Sequence, residues 1–160
     1  MFEPDLFNAR LFSRTIKANR YENIFLIPCA ISESVGVAEF LVDNASGATG
    51  SLVDHSANAI SLHSAYGMKA VVSCPTINLD AYVDYCRGKR VVLKIDVEGA
   101  EESVFVGGRR FFQEVWPWVI VECFQPSRLN WLADLGYRVG SLDDCGNYLL
   151  TPPKEMGHAP

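Results

Sequence analysis

The chain has 160 residues, 49% apolar and 21% charged, with a formal charge of −5. That suits one domain with a real core. Its strongest basic clusters, Arg87-Gly88-Lys89-Arg90 and Arg109-Arg110, are too small a footprint for an obligatory nucleic-acid partner, though an anionic small molecule remains compatible. No apolar stretch reaches the roughly 18–20 residues of a membrane span, so no membrane partner is expected. The start, MFEPDLFNAR, lacks the basic-then-apolar pattern of a secretory signal. Five cysteines (29, 74, 86, 123 and 145) are odd in number and widely spaced without a CxxC pair. That argues against a disulfide framework or structural zinc and for the reducing cytoplasm. Cys29 and Cys123 lie in apolar runs and read as small core residues.

In chain order, Pro4-Asp5 can open a helix. Leu6, Phe7, Leu11, Phe12 and Ile16 then recur at helical spacing, with Asn19 as a stop. NIFLIPCAIS has the length of a buried strand, and Pro28 within it marks an edge or an end. VGVAEFLVD alternates like a strand with one wet face, and a second strand spans about Lys69 to Cys74. Residues 35–73 therefore read as a β-hairpin with a long connection, and such connections often act as lids. Gly47 and Gly50 in that connection lack the strand-to-helix context of a phosphate loop. NLDAYVDYCRG is a short helix capped near Asn78 or Asp80 and closed by Gly88. RVVLKIDV is the best strand, read as the centre of the sheet, with a helix starting at Glu98. WPWVIVECF is another buried strand. PSRLNWLADLGY is a helix from Pro126 to Gly136, and YRVGSL and NYLLTP form a hairpin around DDCGN. Alternating strands and helices imply an α/β fold with a mostly parallel sheet and a terminal antiparallel hairpin. The domain is read over 1–152, with a flexible tail over 153–160.

Carboxylates gather where strands should end. Burying a charge is costly unless it is paired or reachable by water, so these ends should form an open site. In open α/β sheets ligands bind beyond the carboxyl ends of the strands. Glu3, Asp96 with Glu98, and Glu122 are so situated. Glu3 is suited to accept from the two hydroxyls of a nucleotide ribose. Taken alone, it also reads as an exposed terminal charge. Glu101 and Glu102 read as favouring the first turn of a helix through its dipole. Lys94 either pairs with a carboxylate or snorkels to the surface.

LKIDVEGAE (93–101), with FEP near the start, TINLDAY before the strand and VIVE ending at Glu122, resembles the FkbM family of S-adenosylmethionine-dependent methyltransferases. The resemblance covers nearly the whole chain. It implies a class I, Rossmann-like methyltransferase fold and methyl transfer to a hydroxyl of a sugar, glycan or other small metabolite. It also implies that Glu3 takes the cofactor ribose and that Ala30 and Ile31 lie near the adenine. Asp96 would line the pocket near the methionine end and the acceptor, as candidate base. Glu98 and Glu122 would orient the acceptor or the cofactor ammonium. His55 and His63, in the lid, are the alternative bases. No metal site is assigned: Asp96 and Glu98 could supply oxygen ligands, but two acidic residues alone are weak evidence for one. The family carries a first strand and a glycine-rich turn, D-x-G-A-x-x-G, before FEP. This chain starts beside FEP, so that strand is expected to be missing, with pairing to a second chain as one way to complete the sheet. The alternative reading is a non-catalytic remnant or binding subunit. A dinucleotide oxidoreductase is disfavoured for lack of G-x-G-x-x-G.

Overall fold

A computed structural model of the chain describes residues 1–43, 49–53 and 69–154. Helix α1 spans Leu6–Asn19. Asp5 caps it by accepting from the amides of Phe7 (2.7 Å) and Asn8 (3.1 Å), and Arg20 ends it in the left-handed region at φ 57°. Its apolar residues do not all face a core. Ala9 is buried, whereas Leu6, Phe7, Leu11 and Phe12 are exposed.

The expected strand over Asn23–Ser32 shrinks to a parallel bridge between Ile27 and Phe2, followed by β1, Ala30–Ile31. Pro28 supplies the break, since it has no amide hydrogen for a ladder. β2 (Gly36–Asp43) pairs antiparallel with β4 (Lys69–Ile77), from Gly36 opposite Thr76 to Asp43 opposite Lys69. The inferred hairpin with a long connection is therefore present. β4 runs past the expected end at Cys74, because Thr76 and Ile77 pair with β1. Ser51–Leu52 form a short strand, β3, against β2, which the loop-like composition hid.

The helix expected after Asn78 is a 3-10 turn (Leu79–Tyr82) continuing into α2, Val83–Cys86, with the Asn78 side chain as its cap. β5 (Val92–Ile95), α3 (Glu101–Gly107), α4 (Arg109–Glu114) and β6 (Trp118–Glu122) follow. A 3-10 turn (Pro126–Leu129) leads into α5, Asn130–Asp134. β7 (Arg138–Ser141) and β8 (Asn147–Thr151) then form the expected terminal hairpin.

The mixed α/β class is as read, but the single, mostly parallel sheet is not. The described strands make two four-stranded sheets, ordered β1-β4-β2-β3 and β5-β6-β8-β7. Only β1–β4 and β5–β6 are parallel strand pairs. β5 is an edge strand among the described residues, not the centre of a sheet, and Val92 is 71% exposed. The physical reason is that no described strand joins β5 to the Phe2–Ile27 bridge on the other side of a cleft.

β6 lies inside its sheet, and Val119 and Val121 alternate into the core fully buried. Phe112 is the hub of that core. It meets Phe105, Phe111, Trp131 and Tyr137 edge-to-face at centroid distances of 5.8–6.4 Å. Cys29, Cys74 and Cys123 are buried as small core side chains.

Candidate active site

A cleft of about 810 Å³ opens between the Met1–Asp5 segment and β5, within the roughly 300–1,000 Å³ of small-molecule sites. It brings together Glu3, Ala30, Ile31, Asp96 and Glu98 from three stretches of sequence. Each reaches it from the end of an extended segment.

Glu3 follows the Phe2–Ile27 bridge, and its backbone amide donates to the Ile27 carbonyl (3.2 Å). Its Oε1 accepts from the Asp5 amide at 2.9 Å. The residue that caps α1 thus also steers the Glu3 carboxylate. Partial burial pushes the Glu3 carboxyl above the usual glutamate range, the Asp5 hydrogen bond pulls against that, and the Asp5 charge adds to the rise. Ala30 is buried and Ile31 half-buried at the end of β1.

Asp96 begins the loop after β5. Lys94, two residues earlier on the same face of the strand, places Nζ 3.2 Å from Asp96 Oδ2, which settles how that lysine is used. Both side chains are about half exposed, so their attraction is screened. Asp96 does not cap the next helix, whose N-cap is Ala100.

Glu98 is not the first residue of a helix, contrary to the reading from sequence. It adopts φ 50°, Gly99 follows at φ 100°, and α3 starts only at Glu101. A left-handed glutamate costs on the order of 1–3 kcal/mol and persists only where its surroundings hold it. Glu101 is one of those surroundings. It is buried, its Oε1 accepts from the Gly99 amide (2.8 Å), and its Oε2 meets Arg128 Nη1 at 2.5 Å. Both glutamates are first-turn acids of α3, as read; Glu101 in addition is buried against Arg128, whereas Glu102 is exposed.

Glu122 ends β6 opposite Asn147 of β8 and is not part of the lining of the cleft. His55, His63 and nearly all of the expected lid lie outside the described residues. Arg128 and Ser51 carried no signal in the sequence. Their partners are 29 and 47 residues away. Among the described residues, no group of three or more His, Cys, Asp or Glu is arranged to hold a metal ion. None of the described helices is long and apolar enough to cross a membrane.

A family model described as the methyltransferase FkbM domain matches residues 1–139. The chain belongs to the FkbM methyltransferase family. A solved structure of methyltransferase FkbM from Methylobacillus flagellatus KT is similar in fold, with a TM-score of 0.58 and 17% sequence identity over 94% of this chain. This FkbM domain covers 35% of that protein's length. No curated protein matches the chain.

Proposed function

We propose that this FkbM domain binds S-adenosylmethionine in the cleft and forms part of an O-methyltransferase acting on a hydroxyl of a sugar or other small metabolite. The observation that carries the reading is the convergence of Glu3, Ala30, Ile31, Asp96 and Glu98 on one cavity. The chemistry of these donors suits the cofactor. Carboxylates attract its sulfonium and ammonium, and the apolar end of β1 offers a surface to its adenine. When bound, the cofactor supplies a methyl group activated on a cationic sulfur.

The chain's own residues do the rest. Among the described residues no donor reaches Glu3 Oε2, which leaves it for a ribose hydroxyl. Asp96 Oδ1 is turned to neither Lys94 nor a helix cap and takes the acceptor's proton. Lys94 holds the other oxygen. Glu98 orients the acceptor or the ammonium, and Glu122 supports the same region from the neighbouring strand. Most of the rate gain comes from aligning donor and acceptor. The edge of β5 that is unpaired among the described residues would be completed by a further strand, from a longer chain or a second copy. The free thiols suit the cytoplasm.

Calorimetric titration of S-adenosylhomocysteine into the chain, with Glu3→Ala as control, tests this. Saturable binding that Glu3→Ala abolishes supports the reading. A folded chain that binds nothing, or a Glu3→Ala variant that binds equally well, overturns it.

A further inference from the structure

The Glu98–Gly99 segment is held from two sides at once, by a strand of one sheet and by the helical turns around α3 and α5. From one side, Ser51 in β3 donates its hydroxyl to the Glu98 carbonyl at 2.8 Å, and Ser51 is 1% exposed. From the other, Arg128 Nη1 donates to the Gly99 carbonyl at 2.7 Å and to Glu101 Oε2 at 2.5 Å. Glu101 Oε1 in turn accepts from the Gly99 amide. Both carbonyls and the Gly99 amide in this two-residue stretch are thereby fixed by side chains. None of the three side chains lines the cleft, whereas Glu98 and Ala100 do.

We infer that Ser51, Glu101 and Arg128 are positioning residues, a clamp that locks Glu98 in its left-handed conformation and presents a preformed acidic wall to the ligand. The physical basis is the strain. A non-glycine residue at φ 50° relaxes to a right-handed or extended conformation once its neighbours let go. Relaxation would re-aim the Glu98 side chain and change the path from Asp96 into α3. In the Glu101–Arg128 pair the carboxylate is shielded, with the Glu101 side chain 4% and the Arg128 side chain 21% exposed, so removing the arginine leaves a buried charge poorly compensated. Because β3 and the turn before α5 belong to different parts of the fold, the clamp also ties both of them to the loop that follows β5. The part of the inference that concerns ligand binding rests on the function proposed above. The part that concerns the loop does not.

The test combines amide hydrogen exchange with S-adenosylhomocysteine titration in Ser51→Ala, Arg128→Met, Arg128→Lys and Glu101→Gln. Ser51→Ala removes one donor and leaves the ion pair, so it stays informative if the Arg128 variants fold poorly. Exchange at Gly99 is expected to rise about tenfold or more in Arg128→Met, as loss of a charge-assisted hydrogen bond implies, while Val119 and Leu150 in the core strands keep their protection. Affinity for S-adenosylhomocysteine should fall alongside, and Arg128→Lys should recover part of both. Unchanged exchange at Gly99 overturns the clamp, as does exchange that rises equally in the core strands. A loosened loop with unaltered affinity overturns its role in positioning. If the unaltered chain binds no S-adenosylhomocysteine, the proposed function falls, and the exchange data still decide whether the clamp exists.

Discussion

At the scale of single residues, the site is a set of carboxylates given different surroundings. Asp96 is half exposed and sits against a lysine; Glu101 is buried against an arginine; Glu3 is partly buried with one amide to accept. Glu3 therefore has its own pH signature. Burial raises its carboxyl in the folded state, so its contribution to stability is present below the unfolded-state pKa and is lost as pH rises through the folded-state value. In the proposed role the ionised form is the better acceptor, since both oxygens then accept from ribose hydroxyls. Affinity for S-adenosylhomocysteine should thus rise with pH over a window just above the ordinary glutamate range, and Glu3→Gln should flatten that rise. Titrations from about pH 4 to about pH 7 check this, and an equal slope in Glu3→Gln would sink it.

At the scale of elements, close approach decides where the cleft walls stand. Gly107, the last residue of α3, lies against the turn that follows β1. An added Cβ there would run into the Ser32 carbonyl and come within 2.8 Å of Glu33 Cα. Both obstacles are backbone, so neither yields by a rotamer change. Gly107→Ala should therefore destabilise the domain by about 1–3 kcal/mol through overpacking, measurable by chemical denaturation. A variant as stable as the parent would show that α3 and the β1 end are not in register as described. Gly107 was visible in the sequence only as part of a GG pair after an apolar stretch. Its packing role needed the fold.

At the scale of the whole molecule, strands of both sheets line the cleft, and one edge of β5 is unpaired among the described residues. A strand edge unpaired among the described residues, with an exposed valine, is a template for another strand. Leu6 and Phe7 add exposed apolar surface on α1. If copies of the chain pair through this edge, the melting temperature should rise with protein concentration. Val92→Lys, which places a charge on the strand, should remove that dependence. A melting temperature independent of concentration in the parent would exclude association by this route.

Local rules carried much of the description. The helix opening at Pro4-Asp5, the strand character of β2, the Pro28 break, the Gly88 stop and the terminal hairpin were legible because each depends on neighbours within a few residues, whereas the expected alternation in β2 gives way to consecutive burial of Phe40 and Leu41. The family was legible in the run from Leu93 to Glu101, and three of the acidic candidates, Glu3, Asp96 and Glu98, do share one cavity. What the fold alone decided is non-local. β5 lies at an edge because no described strand covers its far side, and Glu98 is left-handed because Ser51 and Arg128 reach its segment from distant parts of the chain. Composition and periodicity do not encode contacts 27 to 47 residues apart; only the packed structure brings such partners within hydrogen-bonding distance.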